Sequence, residues 1–140
     1  MAVLNRNDVL FAHKAINILP GLTEATRRVA GAIVDHFNKQ DGRCFPSIDR
    51  LAWLLGIDRA TVIRATDKLH RQGYVRKVSH GGQAHCARYF PNWNTFREKV
   101  AEWDARMKSR DVTNEEFADS ESGFVAPAAN VAAMRHKPFE

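Results

Sequence analysis

Between Pro46 and Ala65 the chain reads Pro-Ser-Ile-Asp-Arg-Leu-Ala-Trp-Leu-Leu-Gly-Ile-Asp-Arg-Ala-Thr-Val-Ile-Arg-Ala, and few folds accept that run. Two short helices joined by a tight turn satisfy every position. Ala52 is small where the helices would cross, so their backbones can approach. Gly56, four residues on, sits where the chain leaves the first helix through a left-handed conformation that glycine adopts cheaply. Asp58 can cap the second helix by accepting from its free N–H groups. Val62, Ala65 or Thr66, and Leu69 recur at helical spacing and would hold that helix against Ile48, Leu51, Leu54 and Leu55. The opposite face carries Arg59, Ala60, Ile63, Arg64, Asp67 and Lys68. An ordinary helical hairpin in some other small domain is the plainer alternative.

The next segment narrows the choice. Gly73 ends the helix, and Tyr74 or Val75 with Val78 alternates with basic residues as a strand would. Ser79 to Gln83 makes a turn, and Ala84 to Phe90 returns as a second strand that Pro91 stops. Arg76, Lys77 and Arg88 lie on the arms of this hairpin, with His80 and Gln83 at its tip.

On these residues, Leu22 to Trp93 resembles the winged helix-turn-helix domain of bacterial regulators and of plasmid and phage replication proteins. The resemblance rests on Gly42-Arg43-Cys44-Phe45-Pro46-Ser47, Leu51-Ala52, Leu55-Gly56-Ile57, Arg59-Ala60-Thr61-Val62, Arg64-Ala65, Leu69 and Gly73-Tyr74-Val75. It implies a mainly α fold with a small β-hairpin, a three-helix core plus wing, and an added C-terminal helix. It further implies sequence-specific binding of double-stranded DNA by a small transcriptional regulator, of repressor type. Two alternatives stand beside it, a plasmid or phage replication protein and a winged helix used for protein contact. Asp58 departs from the family, where serine is common; its charge would repel phosphate, so it is expected to face inward.

Charge agrees with a nucleic-acid partner. Residues 1–110 hold 19 Lys or Arg against 10 Asp or Glu, a net +9, whereas residues 111–140 hold 2 against 6, a net −4. A basic domain gains affinity for a phosphate backbone by releasing condensed counterions. Arg27, Arg28, Arg43, Arg50, Arg76, Lys77 and Arg88, with Ser47, His80 and Gln83, are the candidates for backbone contact. Arg59 and Arg64 suit guanine O6 and N7, and Ala60 and Ile63 suit thymine methyl groups. Thr61 and Lys68 complete the reading face. On this view Arg64→Ala relaxes selectivity at one position, while Lys77→Ala weakens all sequences alike.

The remaining segments flank this domain, taken as residues 21–92. A first core helix is expected from Thr23 to Asn38, with Val29, Ala30, Ile33, Val34 and Phe37 inward. Residues 1–20 carry apolar runs that Pro20-Gly21 separates from that helix, and they pack on the domain or on a second copy. Residues 93–110 form an amphipathic helix whose seam is Trp93, Phe96, Val100, Trp103 and Met107. The seam folds back on the domain or meets its twin in a homodimer. The acidic tail, residues 111–140, has a composition of limited order and is a candidate protein-binding segment.

No catalytic constellation emerges. Cys44 and Cys86 lack paired spacing, no glycine-rich phosphate loop occurs, and no cofactor or metal site is indicated. With no export leader or membrane-spanning run, a cytoplasmic location is expected.

Overall fold

The computed structural model describes residues 4–79 and 87–109. Five helices and one hairpin follow in the order α1 (Asp8–Ile18), α2 (Glu24–Asp35), α3 (Ile48–Leu55), α4 (Arg59–Arg71), β1 (Val75–Val78), β2 (Arg88–Pro91) and α5 (Trp93–Ser109). Among the described residues, no helix is long and apolar enough to cross a membrane.

Three helix starts share one device. Thr23, Ser47 and Asp58 adopt extended backbone, and each accepts a hydrogen bond from the N–H three residues on, at Thr26, Arg50 and Thr61. Each bond satisfies a donor that the first helical turn leaves unpaired. Gly56 ends α3 at φ 67°, ψ 34°, and its N–H returns to the Ala52 carbonyl. The turn brings α3 against α4, which buries Val62, Ala65, Thr66 and Leu69. Leu51 is the fully buried residue that α3 contributes.

The described residues before Pro20 pack on the domain, the first of the two expected arrangements. Ala12, Ala15, Ile16 and Leu19 of the α1 segment are buried with Val29, Ala30, Ile33 and Val34 of α2. The Pro20-Gly21 break is a turn between two packed helices, with Gly21 at φ 78°. Arg27 fixes that turn, since its guanidinium donates to the carbonyls of Ile16 and Leu19. These are carbonyls that the end of α1 leaves without helical partners. Arg27 therefore caps the end of α1.

The first core helix also ends sooner than expected, at Asp35. Asn38 instead closes the following turn, where its N–H donates to Arg43 O and its carbonyl accepts from Gly42 N.

In the hairpin, Val75 stands opposite Pro91, Arg76 opposite Phe90, Lys77 opposite Tyr89 and Val78 opposite Arg88. Pro91 is the last residue of β2, not a residue beyond it. The strand tolerates the missing N–H because the bond at that end runs from Asn92 N to Tyr74 O, at 2.9 Å. The start of the expected second strand, residues 84–86, and the tip residues His80 and Gln83 lie outside the described residues, as does the acidic tail.

The compact unit that holds the core extends to Ala101, and Glu102 begins a second unit. The first part of the C-terminal seam is interior: Trp93, Phe96 and Val100 are buried in the core. Phe37 meets Trp93 edge to face, with ring centres 4.9 Å apart. Three of the five seam residues are thus buried within the chain. In the second unit, Trp103 is half-buried beneath the Arg106 guanidinium at 5.8 Å, and Met107 is exposed.

One polar pair crosses the core. Asp8 opens α1 with its side chain 1% exposed, and Arg97 of α5 donates to both of its oxygens, from Nε to Oδ1 at 2.8 Å and from Nη2 to Oδ2. Asn5 N–H also donates to Oδ2.

Cys44 lies between α2 and the wing. Its Sγ donates to Ile33 O at 3.1 Å, and its carbonyl accepts from Tyr89 N at 2.7 Å. Burial pushes the thiol up to about 12, so it stays protonated at neutral pH. In a Cys86→Ser chain, a thiol reagent at pH 8 is therefore expected to label nothing until denaturant is added, and then one equivalent. Rapid labelling of the folded chain would contradict that burial.

Candidate nucleic-acid interface

The second helix of the pair presents a continuous outer face. Arg59, Ala60, Ile63, Arg64 and Arg71 are exposed, and Thr61, Asp67 and Lys68 are half-buried. Ile63 is 39% exposed, an apolar branch set among cations.

The arginines on this face are held in different ways. Arg59 Nε lies 2.7 Å from Asp49 Oδ1 of α3. Arg64 Nη2 donates to Thr61 Oγ1 at 3.2 Å. Lys68 donates to Gly21 O at 3.2 Å, which directs its ammonium to the α1–α2 turn. Thr23, Thr26, Arg64, Lys68 and Arg71 line a groove of about 560 Å3 between the start of α2 and this face.

Asp58 does not turn inward. It is exposed at the mouth of α4, where Thr61 donates to it from Oγ1 at 2.6 Å and from the backbone N–H at 3.0 Å. The Thr61 hydroxyl and then its N–H hold the carboxyl below the usual carboxylate range. Capping ties the charge to the helix start, which is a stronger demand than distance from an external anion.

Arg43, Ser47 and Arg50 converge on a second cleft, of about 520 Å3, with His36 and Phe45 among its walls. Ser47 Oγ accepts the Arg50 N–H as the cap of α3, at 2.9 Å. Arg50 Nε donates to His36 Nε2 at 2.8 Å, and His36 Nδ1 faces Ala32 O at 2.7 Å. Arg43 is mostly exposed and stands 3.8 Å from Asp41. Arg28 is pinned elsewhere, since its Nη2 donates to Leu55 O at the end of α3.

On the wing, Arg76 and Arg88 flank one ring: their guanidinium carbons lie 5.0 Å and 4.9 Å from the centre of Phe90. Register explains the cluster, because Arg76 faces Phe90 across the ladder and Arg88 precedes Phe90 by two. Lys77 points to the other side. Its ammonium donates to Thr66 Oγ1 at 2.9 Å and Asp67 Oδ1 at 3.0 Å, with its side chain only 15% exposed. Its N–H donates to His70 Nδ1 at 2.8 Å. Lys77 thus braces α4 against the wing, with its ammonium partnered inside the chain. Strand alternation could have shown this, since Arg76 and Lys77 cannot share a face.

Sequence reasoning missed Asp49, His36 and Phe90, which contact Arg59, Arg50 and the Arg76–Arg88 pair, and His70, which accepts the Lys77 N–H. Only the period-two pairing of Arg88 with Phe90 was visible in the chain.

A tight helix pair with an open basic second helix, followed by an antiparallel hairpin, makes this a winged helix-turn-helix fold. Residues 21–75 match the model of a family described as a helix-turn-helix domain. Among solved structures, one described as a possible transcriptional regulator from Methanosarcina mazei Go1 is similar at 21% identity, over 76% of this chain and 86% of that one, with a TM-score of 0.44. A point mutant of MepR from S. aureus is similar at 13% identity, over 87% of this chain and 90% of that one, with a TM-score of 0.45. A comparison with curated proteins finds no match.

Proposed function

We propose that this chain binds double-stranded DNA as a small transcriptional regulator, with α4 in the major groove and the wing on the adjacent backbone. The observation that carries the reading is the outer face of α4, where Arg59, Ala60, Ile63 and Arg64 stand exposed together. Arginine forks match guanine O6 and N7, and an alanine and an isoleucine suit thymine methyl groups. Two flanking basic surfaces support it. Arg43 and Arg50 open onto the cleft at the start of α3, and Arg76 and Arg88 stack on Phe90 of the wing. These four set position and affinity rather than sequence. Repression is the simplest output for such a chain, by occlusion of a promoter.

Selection from a random duplex library at near-physiological salt tests the reading. An enriched motif is expected, and the Arg59→Ala, Arg64→Ala double variant is expected to lose it. If two copies bind together, the motif is an inverted repeat with half-sites roughly 34–36 Å apart. Four backbone arginines predict a slope of roughly −4 for log affinity against log salt. Binding without any enriched motif, equal in the double variant, would refute base reading by α4.

A further inference from the structure

The contact between Asp49 and Arg59 joins the first turn of α3 to the first residue of α4. We propose that Asp49 is a positioning residue, which fixes Arg59 so that its terminal nitrogens read one guanine. The inference rests on the reading of α4 as the major-groove helix.

Four observations lead to it. First, the pair is open to solvent, at 65% and 76% exposure for the two side chains, so it adds little to stability. Loss of Asp49 is therefore expected to leave the fold intact.

Second, the shortest approach of the pair is at Nε, 2.7 Å from Asp49 Oδ1. The Nη1 and Nη2 groups of Arg59 have no hydrogen bond among the described residues. Those two terminal groups are the ones that donate in parallel to guanine O6 and N7. Arg64, in contrast, already gives Nη2 to Thr61.

Third, a nearer carboxylate in sequence does not compete. Asp58 immediately precedes Arg59, but both of its oxygens accept from Thr61. Arg59 is thereby left to Asp49, whose direction is set by a separate helix.

Fourth, a long side chain that is already anchored loses less rotamer freedom when it docks. The anchor carries a cost of its own, because an exposed carboxylate beside a duplex repels phosphate. Removing Asp49 is therefore expected to move specific and non-specific binding in opposite directions. A structural residue would move both the same way.

The test uses the full chain and the duplex obtained by selection, with its guanine replaced in one set and its whole sequence scrambled in another. In Asp49→Ala and Asp49→Asn, preference for the guanine is expected to fall about tenfold, the scale of one bidentate contact, while scrambled duplex binds as well as before or better. Asp49→Glu is expected to restore part of the preference. A thermal melt of each variant separates these effects from unfolding.

If Arg59→Ala erases the guanine preference but Asp49→Ala leaves it intact, base reading stands and the positioning role is overturned. If Asp49→Ala strengthens specific and scrambled binding equally, Asp49 is a plain repulsive charge and the proposal is equally overturned. If Arg59→Ala leaves the selected motif unchanged, the reading of Arg59 itself fails, and the proposal falls with it.

Discussion

Arg97→Met is expected to destabilise the fold by about 3–5 kcal/mol, the largest loss we anticipate from a single polar residue. The reason is the asymmetry of the pair. Asp8 is 1% exposed and cannot turn to water when its partner goes, whereas the Arg97 side chain is 25% exposed. Methionine keeps most of the aliphatic stem but leaves a buried carboxylate without its cation. Adding Asp8→Asn to that variant is expected to recover part of the loss, because the amide removes the buried charge and still accepts from Asn5 N–H. Denaturant titration of the two single variants and the double variant measures the coupling. If the double variant is less stable than Arg97→Met by the full cost of Asp8→Asn alone, the two groups are independent, and our account of the pair is wrong.

The same pair gives a pH signature with a definite sign. The hydrogen bonds from Arg97 lead the causes that hold the Asp8 carboxyl below its usual value. A carboxyl whose pKa is lower folded than unfolded binds fewer protons in the native state, so stability falls as acid is added. Its contribution is complete above the unfolded value of about 3.9 and is lost as pH falls through the lower, folded value. The stability difference between the native chain and Asp8→Asn should accordingly be flat from pH 5 to 8 and shrink below about pH 4.

How much of this was legible beforehand depended on the range of the interaction. The helix pair was readable because its constraints are local. The glycine at position 56, the small residue at 52 and the caps at 47 and 58 each answer a demand within five residues. The outer face of α4 followed from the same periodicity. Asp8 with Arg97 was not readable, since 89 residues separate them and neither sits in a motif. The partners of Arg27, Arg28 and Lys77 inside the chain were not readable for a related reason. A basic residue in a basic domain reads as a phosphate ligand, but these three donate to carbonyls or to Thr66 and Asp67 that only the folded chain brings near. Net charge counts every basic residue equally and says nothing of the partner that folding gives each. The apolar seam after the wing posed the opposite difficulty. Its period was clear, yet periodicity states that a face is covered without stating by what.

That last ambiguity leads to the second large effect, at Phe96. Phe96→Ala is expected to cost about 3–5 kcal/mol, as for a fully buried aromatic side chain. Met107→Ala, at a position 59% exposed, is expected to stay within about 0.5 kcal/mol of the native chain. The contrast distinguishes the two ways of covering the seam. If Phe96 packs within its own chain, its loss lowers the denaturation midpoint by the same amount at every protein concentration. If a second copy supplied the cover, the loss would grow on dilution, because the association would contribute to stability. The burial of Trp93, Phe96 and Val100 with residues of α1 and α2 favours the first outcome. A concentration-dependent midpoint in the native chain that Phe96→Ala abolishes would reverse the assignment. A concentration-independent midpoint makes α5, from Trp93 to Val100, a part of the domain itself. The wing is then held at both ends, by Lys77 on α4 before it and by Trp93 in the core after it, and Arg76 and Arg88 are presented from a fixed base.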